Sequence, residues 1–267
     1  GFSPKRNKLP ESPSDLDKWV LSELNRLILD VTDNLNSYNP TDAARRIEGF
    51  VESLSTWYVR RSRRRFWRSE DDADKRSAYQ SLYLCLETLS HLLAPFTPFV
   101  AEELYQNLVR SVDTEAPESV HLARFSEADP SQIDPILSQA MELVIRVVSL
   151  GRSARGKAKL RVRQPLSAIE INVRSDREVQ LLIPVVDQIL DELNIKSSTS
   201  IIASDHVPFE WVEYGIRPNL QLLGPKYGRK LDSLLNCLSD ADPVQLVRAV
   251  RGGKNVVLDG ITVLPEE

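Results

Sequence analysis

Between residues 12 and 36 an apolar side chain returns every three or four positions: Leu16, Val20, Leu24, Leu27, Val31 and Leu35. That spacing follows the 3.6-residue turn of an α-helix, so these side chains form one stripe that has to be buried against another element. Ser12 as N-cap, Pro13 at the first helical position and Asp15 in the first turn mark the expected start. The pattern then repeats. SYNPT breaks it, and a second helix is expected from Pro40 or Thr41, with Ile47, Phe50, Leu54, Trp57 and Tyr58 on its apolar line. A third carries Tyr79, Leu82, Leu86, Leu89 and Leu93. Pro95 and Pro98 interrupt it, after which Thr97 caps a fourth helix with Glu102 and Glu103 one turn further in. Four amphipathic helices with short connections describe a helical bundle.

After about residue 112 the texture changes. VDTEAPESVHLARFSEADPSQIDP is polar, bears proline and lacks periodicity, which places a domain boundary inside it. A long helix is expected from about Ser131 to Gly151, with Ile133, Leu137, Ala140, Val144 and Val148 on one stripe. The period then shifts toward two. Ile169, Ile171 and Val173 alternate with Glu170 and Asn172 as in a half-buried strand, and STSIIAS and WVEYGIR read as further strands. A helix or a pair broken at Pro184 leads to ILDELNIK, and NVVLDGITVL is a hairpin with Asp259-Gly260 in its turn. The expected fold is therefore multi-domain, α followed by α+β: a linker at 1–11, a four-helix bundle at 12–112, a linker at 113–127 and a small α+β domain at 128–267.

Composition excludes more than it names. With 267 residues and a net charge of -4, the chain has room for real cores and is no bulk polycation. Any nucleic-acid binding has to come from local patches. Cys85 and Cys237 both lie among leucines, which reads as buried thiols in a reducing, cytoplasmic setting. Two cysteines and three histidines show no metal-ligand spacing, and no apolar run reaches membrane-spanning length. His91, next to Leu92-Leu93 on a helix, reads as a packed histidine, and no nucleophile motif or phosphate loop marks a catalytic centre.

Two local patches do stand out. WYVRRSRRRFW, residues 57–67, holds five arginines in eleven positions. Arg61 and Arg65 extend the buried line through Leu54 and Tyr58, so at least one is expected to be half-buried and paired with a carboxylate. The rest of the block is either a solvated ion-pair face or a phosphate grip, with Arg64 and Arg68 as its outward candidates. The second patch is cleaner. From Leu143 through Ile169 there is no acidic residue, while Arg146, Arg152, Arg155, Lys157, Lys159, Arg161 and Arg163 all occur. Lys159, Arg161 and Arg163 are expected to alternate along an extended path, with Leu160 and Val162 facing the other way. Gln164 adds an amide able to read a base edge. An exposed loop and edge strand guarded by cations is the plain alternative.

Several of these segments resemble a known family. TWYVRRSRRRFW (56–67) is similar to the helical anticodon-binding domain of isoleucyl-tRNA synthetases, and HLLAPFTPFVAEELYQNL (91–108) resembles a segment shared with the valyl and leucyl enzymes. LGRSARGKAKLRVRQPL (150–166), ILDELNIK (189–196) and PNLQLLGPKYGRK (218–230) resemble isoleucyl segments more specifically, of the subgroup common in eukaryotes, archaea and some bacteria. GFSPKRNKLP is similar to the junction that follows the catalytic region. The resemblance implies an anticodon-binding bundle with an α+β appendage that continues the tRNA-binding surface. It implies a parent ligase, monomeric and cytoplasmic, that attaches isoleucine to its tRNA with ATP and magnesium in a catalytic body of the same polypeptide. Neither the catalytic motifs, nor an editing domain, nor the zinc-binding cysteines of the other bacterial subgroup occur here. The chain is therefore expected to bind tRNA without cofactor or metal and without charging it, through Arg64, Arg68, Arg152, Arg155, Lys157, Lys159, Arg161, Arg163 and Gln164. A valyl or leucyl relative and a basic scaffold for acidic protein partners stand as alternatives.

Overall fold

The computed structural model describes residues 3–6, 8–67, 72–203, 218–228, 231–251, 254–258 and 261–264. Its first helix, α1, spans Asp15–Asn36 and buries Leu16, Val20, Leu24, Leu27 and Val31 as the stripe requires. Its N-cap is Ser14, not Ser12. The Ser14 hydroxyl accepts the Asp17 amide, and the Asp17 carboxylate accepts the Ser14 amide at 2.8 Å, a reciprocal capping box. Helix α2 (Pro40–Ser53) starts behind Asn39 and passes through a π-helical stretch at Leu54–Val59 into α3 (Arg60–Trp67). The arginine block is thus helical from end to end.

Helix α4 (Ala73–Leu93) is capped by Asp72 and is buried around much of its circumference, Ser77, Ser81 and Gln80 included. Its polar side chains hold residues that precede α1. Gln80 donates to the carbonyls of Lys5 and Lys8 at 2.6 and 2.8 Å, and Arg6 pairs with Glu87 at 2.8 Å. Lys5, Arg6 and Lys8, within the expected linker, are therefore bonded to α4. Cys85 is fully buried in α4, where burial pushes its thiol pKa up, whereas Cys237 is half-buried, and both are free thiols. His91 is a packed histidine, its Nδ1 3.0 Å from the Arg124 carbonyl oxygen.

Helix α5 (Pro98–Tyr105) begins at Pro98 as expected, although Thr97 makes no side-chain capping bond. The polar segment after it packs as well. Ala116 and Val120 are buried with Ala101, Tyr105 and Val109, and Glu102 accepts the Val120 amide at 2.9 Å. Helix α6 (Pro135–Lys157) then lies on α1: Asp134 donates its amide to the Ser22 hydroxyl at 2.9 Å, and the hydroxyls of Ser22 and Ser138 are 3.3 Å apart. So α6, expected to open the second domain, packs with the bundle.

Strand β1 (Leu166–Val173) shows the alternating burial read from Ile169 to Val173, and it pairs with β2 (Ile195–Ala203). Between them run α7 (Asp176–Leu182) and α8 (Val186–Leu193), the latter carrying most of ILDELNIK. Two compact units result, one of residues 1–168 and 180–198, the other of 169–179 and 199–267. The second unit contains α9 (Leu220–Tyr227), α10 (Leu231–Asp240), α11 (Pro243–Arg251), β3 (Val256–Leu258) and β4 (Ile261–Val263). Leu223, Leu234 and Val263 form one buried cluster in it, and β3 pairs antiparallel with β4 in the register Val256 to Val263 and Leu258 to Ile261. The Asp259-Gly260 turn and the WVEYGIR segment lie outside the described residues.

Candidate nucleic-acid interface

The acid-free stretch occupies the C-terminal end of α6 and the connection to β1. The helix stops at Ala158, and Lys159 adopts the left-handed conformation at φ 55°. The Lys159 amide bonds the Gly156 carbonyl at 3.1 Å and the Leu160 amide bonds the Arg155 carbonyl at 2.9 Å, the paired bonds of a Schellman motif. Glycine ordinarily fills that position, since a side chain there adds a steric cost. A tight turn follows, closed by the Gln164 amide on the Arg161 carbonyl at 3.0 Å.

The turn is held from beneath. Arg155, only 5% exposed, sends its guanidinium to the carbonyls of Arg161 and Gln164. Asn194, left-handed at the C-cap of α8, donates its amide to the carbonyls of Val162 and Arg163 at 3.2 and 3.0 Å. The Asn194 carbonyl accepts the Leu166 amide at 3.0 Å and leads the chain into β1. Four consecutive carbonyls therefore point inward, and the side chains of Arg161, Val162, Arg163 and Gln164 are exposed.

This corrects two expectations. Lys159, Arg161 and Arg163 do not alternate along an extended path: the strand begins only at Leu166, and Val162 is 41% exposed rather than turned inward. Arg155 is not a surface contact, because its charge is used to pin the turn. Lys157, Lys159, Arg161 and Arg163 remain as exposed cations with no ion pair or side-chain hydrogen bond among the described residues. Gln164 keeps its side-chain amide outward beside them.

In the arginine block the inward members are Arg61 and Arg65. Arg65 forks onto both oxygens of Asp17 at 2.9 and 2.6 Å and reaches Asp74 at 2.8 Å. The Tyr58 hydroxyl donates to Asp17 at 2.6 Å. Burial raises the Asp17 carboxyl pKa, but the bonds from Arg65, Tyr58 and Ser14 outweigh it and hold that carboxyl below its ordinary range. Arg61 turns to Glu192 at 2.8 Å, joined there by Arg60 at 2.7 Å and by Arg152. Arg63 and Arg64 are exposed without an ion pair among the described residues, next to Trp67 at 82% exposure. Arg68 lies outside the described residues.

Glu192 and Asn194 are the residues that sequence reasoning missed. An Asn directly after an amphipathic helix is a C-cap signal, so Asn194 was findable. That Glu192 meets arginines from α3 and α6 is decided by tertiary packing. Gly151 makes that packing close: a Cβ there would run into the Leu193 side chain of α8. Among the described residues no group of His, Cys, Asp or Glu is placed to hold a metal ion, and no helix is long and apolar enough to cross a membrane.

The cationic turn and the arginine helix, both inside one compact unit, fall within residues that match a known domain in sequence. The sequence pattern of the anticodon-binding domain of tRNA ligases covers residues 17–171, which contain both basic segments. The chain belongs to that family. Its relatives include the isoleucine–tRNA ligase of Dehalococcoides mccartyi strain 195, 58% identical over 196 residues, which is 73% of this chain and 19% of the relative. Those of Clostridium novyi and Thermus thermophilus are 42% and 41% identical over 259 and 262 residues, each 97% of this chain, and 24% and 25% of the relatives. The chain thus spans about a quarter or less of the curated relatives it matches, all three of them bacterial.

Proposed function

We propose that this chain is the portion of an isoleucine–tRNA ligase that grips the anticodon arm of the tRNA for isoleucine. The observation that carries it is the turn at 157–164, where four unpaired cations and Gln164 are presented outward by Arg155 and Asn194 inside the residues matched to the anticodon-binding domain. Phosphates of the anticodon stem neutralise Lys157, Lys159, Arg161, Arg163 and Arg64, and Arg68 joins this reading from the sequence. Gln164 is the candidate for reading an unstacked base edge, because a single-stranded loop exposes edges and faces that an A-form helix hides.

In this reading the ligation of isoleucine, with ATP and magnesium, belongs to a catalytic body of the same cytoplasmic, monomeric polypeptide. The chain alone is expected to show no isoleucine-dependent pyrophosphate exchange. The same reading keeps the subgroup shared by eukaryotes, archaea and some bacteria, supported by the segments at 150–166, 189–196 and 218–230.

Binding of tRNA transcripts across a salt series tests it. The logarithm of affinity is expected to fall linearly with the logarithm of salt, by roughly 0.7 to 0.9 per phosphate neutralised. Transcripts differing only in the anticodon are expected to separate, with the isoleucine anticodon bound most tightly. Equal binding of all anticodons would sink the recognition claim, and preference for a valine or leucine anticodon would reassign it.

A further inference from the structure

The arginine helix and the end of α6 meet at one carboxylate. Glu192, its side chain 8% exposed, receives Arg61 on Oε1 at 2.8 Å and Arg60 on Oε2 at 2.7 Å, and Arg152 bonds the same Oε2. The three arginines are not equivalent. Arg61 is 10% exposed and donates also to the Gln188 carbonyl at 3.3 Å and to the Gln188 side-chain oxygen, so it is a structural member. Burial lowers its pKa, and the Glu192 charge opposes that. Its needs account for Glu192 without any help.

Arg60 and Arg152 are surplus to that pairing. Their side chains are 40% and 43% exposed, and sharing one carboxylate oxygen places the two guanidiniums side by side. Arg60 commits Nε to the Thr56 carbonyl at 2.7 Å and Nη2 to Glu192, and its guanidinium lies 5.8 Å from the centre of the Trp57 ring. Its Nη1 has no partner among the described residues, and Arg152 commits only Nη2. The Glu192 and Asp191 carboxylates both act on Arg61, and Arg63 and Arg64 add charge without an ion pair among the described residues on the same helix. Like charges fixed side by side with unused, exposed N–H donors suit an anion carrying two oxygens, as a phosphodiester does.

We propose that Arg60 and Arg152 together form a binding site for one backbone phosphate of RNA, with Glu192 as the residue that positions both. The site rests on the reading that this chain binds tRNA. It joins the arginine block to the turn at 157–164 as one surface within one compact unit.

The test is a salt series with the 267-residue chain and an isoleucine tRNA transcript, comparing Arg60→Gln, Arg152→Gln and the double variant. Each single variant is expected to lower the slope by one phosphate, roughly 0.7 to 0.9, and the double variant by that same single step. Arg60→Lys keeps the charge and the helix while removing the fork, and is expected to weaken binding roughly tenfold with the slope retained. Arg45→Gln, at an exposed arginine paired with Asp42, is expected to change nothing. Slopes unchanged in the Arg60 and Arg152 variants, while the parent chain binds, overturn the site and leave the tRNA reading standing. Two full steps in the double variant overturn the shared phosphate. A parent chain that binds no tRNA overturns the reading and the site with it.

Discussion

Arg155 and Asn194 divide the carbonyl groups of four consecutive residues between them, the arginine holding those of Arg161 and Gln164 and the asparagine those of Val162 and Arg163. With those carbonyls held inward the side chains of Arg161 to Gln164 are exposed, so neither clamp residue needs to touch a ligand to shape the surface.

Asn194→Gly isolates that effect. Glycine accepts the left-handed backbone at φ 53° without steric cost, so the change removes the amide and little else. Two lost hydrogen bonds predict a stability loss of about 1–3 kcal/mol, read by urea unfolding. Affinity for tRNA is expected to fall several-fold while circular dichroism keeps its helical signal. Unchanged affinity would mean the turn is held well enough by Arg155 alone.

Asp17 carries a different load. It is fully buried, forked by Arg65 and bonded by Tyr58 and Ser14. Asp17→Asn leaves the Arg65 charge without its main partner, which predicts a loss of roughly 3–5 kcal/mol in denaturant unfolding. The pH dependence follows from the direction of the shift. The folded carboxyl has a pKa below its unfolded value, so its contribution is complete above the unfolded pKa and disappears as pH falls through the folded one. Acid unfolding of the parent chain is therefore expected to steepen below about pH 4, and Asp17→Asn to flatten that limb. A variant with the parent's acid limb would assign the transition to other carboxyls.

Much of this was readable in the chain and some was not, for physical reasons that differ. The stripe from Leu16 to Val31 and the inward turn of Arg61 and Arg65 follow from helical period, because extending Leu54 and Tyr58 by two turns lands on them. The start of α1 was ambiguous. Ser12 has Asp15 three residues on and Ser14 has Asp17, and only the demand of Arg65 and Tyr58 for Asp17 decides between them. The run Lys159 to Arg163 failed for a deeper reason. Its alternation is the pattern of a strand, yet a buried arginine and an asparagine from another helix outweigh that local preference. Of the site, the cations were legible by their lack of acids, and Glu192, more than a hundred residues from Arg60, was not.

Gly151 tests how α6 is set against α8. Alanine there would run its Cβ into the Cδ atoms of Leu193, which is itself 1% exposed and has little room to turn. Overpacking of this kind predicts about 1–3 kcal/mol of destabilisation in Gly151→Ala. Leu193→Val in the same chain is expected to return part of it, and a cycle showing no coupling between the two would place the cost elsewhere.

The exposed tip gives the sharpest separation of surface from structure. Arg161→Glu with Arg163→Glu reverses two charges whose side chains bond nothing among the described residues, while the carbonyls that hold the turn are untouched. Circular dichroism and the unfolding midpoint are expected to stay at the parent values, since substitutions at such positions usually lie within about 0.5 kcal/mol. Binding of tRNA is expected to lose two phosphate contacts, a drop in salt slope of roughly 1.4 to 1.8. Gln164→Ala should leave that slope alone and reduce the preference for one anticodon over another, because an amide that reads a base edge neutralises no phosphate. If the charge reversal unfolds the chain instead, the tip is part of the fold and the outward clamp of Arg155 and Asn194 is misread.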